Sequence, residues 1–160
     1  MEENSVKVYK ENSVKVYEVK VYDDRTIWCI NGKLHREDGP AIELNNGDKH
    51  WCINGKRHRE DGPAVEYSNG DKEWFINGKR HREDGPAIED SNGDKRWCIN
   101  GKWHREDGPA IELNDGTKEW WINGERLSKK KYIAKINECN KCFTGKIVEI
   151  DGKKYKLTEI

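Results

Sequence analysis

The chain has 160 residues, of which 33% are hydrophobic and 38% are charged, and its 30 basic side chains balance its 30 acidic ones. This composition excludes a thick two-layer globule, because too few apolar residues are present to fill one, and it favours a thin sheet that is wetted on much of its surface. A net charge of zero also excludes a chain-wide electrostatic footprint for nucleic acid or anionic lipid.

The N-terminal sequence predicts no targeting segment. Residues 1–10, MEENSVKVYK, carry charge and lack an apolar core of signal-peptide length. No stretch of the chain approaches the ~18 apolar residues that a membrane span needs. We therefore expect a soluble, cytoplasmic protein without a membrane span.

Residues 1–26 form the first predicted unit, a lead followed by capping strands. ENSVKVYK and ENSVKVYE are a tandem duplication that VKVY continues from Val19, and the valines alternate with lysine and tyrosine as on a half-buried strand. We expect a flexible lead and then one or two strands that cover the open edge of the following sheet, because an uncovered edge invites aggregation.

Residues 27–126 form the second predicted unit, a tandem array with a 23-residue period. Four full copies begin at Trp28, Trp51, Trp74 and Trp97, and a partial fifth, WWINGER, begins at Trp120. The third copy reads WFINGKRHREDGPAIEDSNGDKR. A fixed period of this kind is typical of an array in which each unit buries its apolar face only against its neighbours.

Each copy contains two Asn-Gly or Asp-Gly steps between apolar or β-branched residues, for example Asn54-Gly55 and Asn69-Gly70. Such a step is the strongest local signal for a type I′ hairpin turn, so two of them per copy predict an antiparallel meander. The Arg-Glu-Asp-Gly-Pro stretch after the histidine predicts a bend or bulge, because proline cannot donate to a strand ladder and glycine permits the bend.

Two-residue loops at both turns would fix the register of the strands. The first turn then pairs Phe75 with Arg80. The preceding turn pairs Val65 with Trp74 and Ala64 with Phe75. One face would bear the Trp, His, Ile and Val or Ile positions of every copy, and the other would bear the Cys, Phe or Trp position, the residue before the histidine, and the alanine.

The motif N-G-K-x-H followed by a second N/D-G turn, with aromatic strand residues on the 23-residue period, resembles the MORN repeat over about residues 28–126. The resemblance implies an elongated antiparallel sheet of successive hairpins that is a scaffold for protein partners and sometimes for membranes. The chain departs from that family where Arg-Glu-Asp-Gly-Pro, as in residues 59–63, replaces the G-x-G that follows the family's histidine. The HREDGPA form resembles repeats in uncharacterised phage and giant-virus proteins, which implies a viral or mobile-element origin.

Residues 127–160 form the third predicted unit, a C-terminal cap. Ser128 is a predicted N-cap before KKKYIAKINEC, and Leu127 and Tyr132 are spaced as a hydrophobic staple, so the sequence predicts a short helix. Three lysines in its first turn oppose the helix dipole, which either weakens the helix or indicates an acidic group nearby. KIVEI-DG-KKYKL then predicts a closing hairpin about Asp151-Gly152. The predicted fold class is thus all-β, an elongated antiparallel meander of repeated hairpins with a short C-terminal helix and a closing hairpin.

The His-Arg-Glu-Asp run of each copy has the side chains of a metal or acid-base site. Equivalent histidines in neighbouring copies would lie roughly 9–10 Å apart, too far to share a metal ion. Within one copy, His58 and Glu60 could meet only if the bend curls inward. We expect the histidine to pack on tryptophan and the charged residues to form surface pairs, with no metal and no cofactor.

The five cysteines are predicted to be reduced thiols. Cys29, Cys52 and Cys98 occupy the same place in successive copies, and Cys139 and Cys142 form a single C-x-x-C without the second half of a zinc site or a thioredoxin-like context. No nucleotide-binding or nucleophile motif is present, and four copies of one catalytic group would be unusual, since an active site needs a unique constellation. The protein is therefore predicted not to be an enzyme.

Positions that change between copies are candidates for recognition, and the predicted register gathers them on one face. Toward the C-terminal half this face becomes aromatic and basic, as interface hot spots are. The predicted partner-binding residues are Arg57, Phe75, Arg80, Trp103, Trp121 and Arg126. The alternative is that Trp103 and Trp121 pack under the C-terminal helix.

Two classes of function follow. The first is a non-enzymatic protein-binding repeat module, and the resemblance to viral repeats implies, by analogy alone, a protein that binds and blocks a host factor such as a defence complex. The second is a nucleic-acid or nucleotide binder that stacks bases on the tryptophan and arginine face.

Overall fold

The computed structural model describes residues 4–9, 16–143, 147–150 and 153–156. The chain starts with three antiparallel strands, β1 (Asn4–Tyr9), β2 (Val16–Val21) and β3 (Arg25–Ile30). Alternation of apolar and polar residues in β2 buries Tyr17 and Val19 on one side of the sheet. β2 pairs with β3, as predicted for a capping strand, and β1 pairs with β2. Residues 1–3 and 10–15 of this predicted unit lie outside the described residues.

The first turn of each copy closes a short hairpin, which we call the tip hairpin. Asn54 and Gly55 both have positive φ, 51° and 79°, and the equivalent pair in every other copy does the same, as a type I′ turn requires. The strands of the tip hairpins are the end of β3 with β4 (Lys33–Leu34), β7 (Cys52–Ile53) with β8 (Lys56–Arg57), β11 (Phe75–Ile76) with β12 (Lys79–Arg80), β15 (Cys98–Ile99) with β16 (Lys102–Trp103), and the end of β18 (Lys118–Ile122) with β19 (Glu125–Leu127). The predicted pairing of Phe75 with Arg80 is confirmed.

The second turn of each copy closes another hairpin, and these hairpins lie side by side in the central sheet of 13 strands. Their strands are β5 (Ile42–Leu44), β6 (Lys49–His50), β9 (Val65–Glu66), β10 (Lys72–Glu73), β13 (Ile88–Glu89), β14 (Lys95–Arg96), β17 (Ile111–Glu112) and β18. All of these strands pair antiparallel. The predicted all-β meander of repeated hairpins is thus confirmed.

The predicted register of this second hairpin is wrong by one residue. Val65 pairs with Glu73, not with Trp74, because the loop has three residues and only its glycine, Gly70, has positive φ (95°). A shift of one residue moves every side chain to the opposite face. Val65 therefore lies on the same face as Phe75, and Ala64, whose carbonyl accepts from the Trp51 N–H, lies on the tryptophan face.

The Arg-Glu-Asp-Gly-Pro stretch forms an irregular loop between the tip hairpin and the next central strand, so the predicted bend is confirmed. We call it the REDGP loop.

Backbone bonds join each copy to the next. Arg57 and Phe75 carbonyls accept from the N–H groups of Gly78 and Arg59, which ties neighbouring tip hairpins together, and the bonds recur one period later. A side-chain bond also joins the second turns of neighbouring copies, where the Asp71 carboxylate accepts from the Ser91 N–H.

The C-terminal part contains helix α1 (Lys129–Phe143) and the paired strands β20 (Ile147–Ile150) and β21 (Lys153–Lys156). The Ser128 hydroxyl accepts from the Lys131 N–H, so the predicted N-cap is confirmed. The predicted turn at residues 151–152 lies outside the described residues. Within the part of the chain that is described, no helix combines the length and the apolar character that a membrane crossing needs.

Candidate functional site

One face of the sheet carries four positions that all four full copies share, which in the third copy are Trp74, Ile76, His81 and Arg82. We call it the invariant face. Its most repeated contact is an arginine of the REDGP loop stacked on the tryptophan that opens the same copy. The guanidinium carbon lies between 3.9 and 4.1 Å from the ring centroid in all four copies, within the range of a cation–π contact. Sequence reasoning predicted the histidine on the tryptophan and did not predict this arginine contact.

The same arginine is also the hydrogen-bonding centre of its loop. Arg82 donates from Nε to Asp84 at 3.0 Å, and from Nη1 to the Pro86 carbonyl at 3.2 Å and to Glu89 at 2.8 Å. Its side chain is 22% exposed, and its bonds to Pro86 and Glu89 are part-buried, so these two are stronger than the predicted surface pairs, whereas the bond to Asp84 is exposed. The other three copies repeat all three bonds.

The glycine of the loop is needed because the guanidinium lies directly on its backbone. A Cβ atom at Gly85 would stand 2.8 Å from the Arg82 Cζ, closer than carbon atoms pack. The arginine is thus held between a tryptophan ring and a glycine backbone, an arrangement that we call the arginine clamp. Its bond to Asp84 lowers the pKa of that carboxyl group below the ordinary value.

The histidine of each copy is engaged with the next copy. The Nδ1 atom of His81 accepts from the Asn100 backbone N–H at 3.2 Å, so in the neutral ring the proton resides on Nε2, which lies 3.6 Å from a Glu83 carboxylate oxygen. A nitrogen that accepts a backbone bond is not available to a metal ion. Among the described residues, no three or more His, Cys, Asp or Glu side chains form a group that could hold one.

The opposite side of the sheet is called the variable face, because the side chains at two of its positions differ between copies: Cys29, Cys52, Phe75, Cys98 and Trp121 at one, and Leu34, Arg57, Arg80, Trp103 and Arg126 at the other. Tip-hairpin pairing places the two positions opposite each other in each copy. The six predicted partner-binding residues all belong to this face.

Phe75 is at the centre of the face but is only 6% exposed. The guanidinium groups of Arg57 and Arg80 stand 5.3 and 5.5 Å from its ring centroid. Phe75 therefore supports the surface, and the two arginines, both partly exposed, form it.

Carboxylates of the central sheet fix the arginines of the variable face. Glu73 accepts from Arg80 Nε at 2.9 Å and from the Tyr67 hydroxyl at 3.4 Å. Two periods further on, Glu119 accepts from the Trp121 indole at 2.9 Å and pairs with Arg126 at 2.7 Å. Sequence reasoning missed these partners, although the alternation of Glu73 and Phe75 on one strand was a signal that could have found them.

The C-terminal helix lies against the invariant face. Lys129 Nζ stands 5.6 Å from the Trp120 ring, and Tyr132 is buried beside the fourth REDGP loop. By strand alternation Trp121 is on the other side from Trp120. Trp103 and Trp121 are both partly exposed, and the helix contacts that are described are on the opposite face from them.

The cysteines of the array are buried. Burial raises the pKa of the Cys29 and Cys52 thiols, and it raises that of Cys98 to about 12. These three are free thiols, and their raised pKa values keep them protonated and unreactive at neutral pH. Cys139 is also a free thiol and is exposed.

The N-terminal end of the variable face contains a groove that sequence reasoning missed. Its volume is about 740 Å³, and its apolar part is formed by Ile27, Cys29, Leu34 and Ile42. The variable face therefore changes from apolar at this end to basic and aromatic at the other.

Comparison with known proteins provides no relative. No protein-family model matches the chain, and no curated protein and no solved structure is similar to it.

Proposed function

We propose that this chain is a non-enzymatic, protein-binding repeat module whose partner contacts the variable face. One observation carries the proposal. The arginine and the histidine that every full copy shares are engaged within the array, as Arg82 and His81 are, whereas the positions that differ form a row on the other side. Surface positions that an array does not need for its own bonds are free to be specialised for a partner.

The same observation argues against catalysis. The histidine Nδ1 atoms accept backbone bonds, and the thiols on the array are buried with raised pKa values. A general base or nucleophile needs a side chain with a free lone pair in a pocket, and neither group supplies one.

A protein partner fits the variable face better than a nucleic acid does. Arg80 and Arg126 are paired with Glu73 and Glu119, and Arg96 bonds both Asp90 and Asp94. Phosphate groups would have to compete with these carboxylates for each guanidinium, and the carboxylates would repel them. Arginine and tryptophan held in place by neighbours are the side chains that dominate protein interfaces.

The resemblance to MORN repeats and to HREDGPA-type repeats of phage and giant viruses supports a narrower version. In it the module is a cytoplasmic viral protein that binds and blocks a host factor such as a defence complex. This version rests on analogy and is proposed as such.

The test is capture of a partner from lysate of the native host, with identification by mass spectrometry, followed by affinity measurement with the purified partner. Trp103→Ala should weaken binding by roughly 2 kcal/mol or more, about 30-fold, because it removes a partly exposed aromatic anchor. Lys102→Ala is the matched control, since Lys102 is the neighbouring residue of the same strand and is absent from the variable face.

Equal affinities of the Trp103→Ala and Lys102→Ala variants would remove the variable face from the interface. If the affinity falls steeply with increasing salt and the chain also binds single-stranded oligonucleotides, the partner is a nucleic acid and not a protein.

A further inference from the structure

Successive REDGP loops stand apart from each other and leave grooves on the invariant face. One groove of about 760 Å³ lies between the second and third loops, and its floor contains Trp74, Ile76 and His81. Another of about 700 Å³ lies between the first and second loops, with Trp51, Ile53 and His58 as its floor. The grooves repeat because the loops do.

The rims of the grooves are acidic. The loops beside the 760 Å³ groove contribute Glu60, Asp61, Glu83 and Asp84, whose side chains are 85%, 85%, 86% and 85% exposed. The two arginines of these loops are stacked on tryptophans, and each bonds one aspartate of the rim and one glutamate below it. The four carboxylates of the rim therefore outnumber the two arginines beside them. The exposed part of each groove therefore attracts cations.

The corresponding place after the fourth loop, which we call the fourth groove, is filled by the chain itself. Ser128 and Lys129 occupy the sequence positions where a fifth loop would have Arg and Glu, and helix α1 begins there. Lys129 stands over Trp120, the position that a loop arginine takes over the other tryptophans. The helix thus substitutes for a fifth loop.

The side chain that enters this fourth groove is Tyr132. It is 6% exposed, its hydroxyl group is near Gly108 and the charges of Asp107 and Glu106, and burial raises its pKa. Ile122, in the floor, is also only 6% exposed, whereas the equivalent Ile76 of an open groove is half-buried. An aromatic ring that follows three lysines thus fits a groove of this shape and charge.

We propose that the open grooves of the invariant face bind a lysine-rich helical segment of a partner protein that inserts an aromatic side chain, in the way that Tyr132 fills the fourth groove. The ring packs on the tryptophan and isoleucine of the floor, and the lysines meet the carboxylates of the rim. The 23-residue period supplies at least two such grooves, so a segment with two anchors could bind both at once. This surface is opposite to the one assigned above, and the two assignments can fail separately.

The probe is a synthetic peptide with the sequence of residues 128–138, SKKKYIAKINE, added to the isotope-labelled full chain. We expect the indole N–H resonances of Trp51 and Trp74 to shift on titration while that of Trp103 does not. Tyr132→Ala in the peptide should weaken binding at least 10-fold. Ile133→Ala is the matched control and should bind like the original peptide, because Ile133 is exposed in the helix.

Variants of the full chain test the rim. Glu60→Gln and Glu83→Gln should each weaken the peptide about threefold at low salt, whereas Asp23→Asn, which removes an exposed carboxylate remote from the grooves, should not. The proposal is overturned if the peptide fails to bind at millimolar concentration, if Tyr132→Ala binds equally well, or if the shifts appear at Trp103 and leave Trp51 and Trp74 unchanged.

Discussion

Arg80 and Arg82 are two residues apart in the third copy, and they lie on opposite faces of the sheet. Arg82 is 22% exposed, stacks on Trp74 and makes three hydrogen bonds within its own loop. Arg80 is 41% exposed and pairs with Glu73 across the variable face. The comparison teaches that the arginine of the invariant face is fixed by contacts inside its own copy, while the variable face has side chains that the fold can exchange.

Removal of a tryptophan should distinguish the two faces most strongly. Trp74→Ala removes the ring on which Arg82 stacks, so it should reduce the free energy of unfolding by about 3–5 kcal/mol. Trp103→Ala removes a partly exposed ring and should cost about 1 kcal/mol. Urea denaturation of both variants measures the difference, and equal losses would show that Trp103 belongs to the packing of the fold.

Removal of Arg82 should reduce the stability of the fold more than removal of Arg80 does, and this difference should be the second largest. Arg82→Ala leaves the Pro86 carbonyl and the Glu89 carboxylate without their donor and should cost about 2–3 kcal/mol. Arg80→Ala should cost about 1 kcal/mol or less, because an exposed pair contributes little. Arg82→Lys should not restore stability, since an ammonium group cannot make the three directed bonds of a guanidinium. Full rescue by lysine would contradict the clamp geometry.

Gly85 offers a sharper test of the same clamp. Gly85→Ala should cost about 1–3 kcal/mol, because its Cβ would meet the Arg82 Cζ at 2.8 Å. The loss should largely vanish when Arg82→Ala is present as well, since the guanidinium is then absent. A double-mutant cycle by urea denaturation measures this coupling, and additive losses would mean that the alanine strains the backbone instead.

Low pH should destabilise the invariant face, and this loss of stability should be smaller than the losses from the substitutions above. The arginine bonds lower the pKa of Asp61, Asp84 and Asp107. A carboxyl group with a lowered folded-state pKa stabilises the fold above its unfolded pKa of about 3.9, and this contribution is lost as the pH falls through the folded value. The melting temperature should therefore decrease below about pH 4. Asp→Asn at the three positions should flatten that decrease, and an unchanged acid limb would disprove the assignment.

The fold could be predicted from local signals where those signals were sufficient. Asn54-Gly55 and its equivalents specify a type I′ turn by themselves, and Ser128 specifies the helix start. The second turn has the same dipeptide at Asn69-Gly70, but the Asn69 carboxamide accepts from the Asp71 N–H, and Asp71 in turn accepts from Ser91 of the next copy. Bonds between copies thus select a three-residue loop, which no dipeptide signal contains.

The candidate site was predicted only in outline for a related reason. The face that gathers Arg57, Arg80, Trp103, Trp121 and Arg126 follows from the tip hairpin, whose register was correct. Burial of Phe75 beneath two guanidiniums depends on Arg57 of the preceding copy as well as on Arg80 of its own copy. The arginine clamp did leave a signal, the spacing Arg, Asp, Pro and Glu at i, i+2, i+4 and i+7 in all four copies, but its meaning requires the shape of the loop.

The bonds between copies, such as those of Gly78 with Arg57 and of Ser91 with Asp71, reach only from one copy to the next. Each interface presents the same donors and acceptors as the one before it, so a gene segment encoding 23 residues can be duplicated or lost by recombination and the remaining interfaces still match. The length of the array, and with it the number of REDGP grooves and the extent of the variable face, can therefore change in single steps of one repeat without any new packing solution.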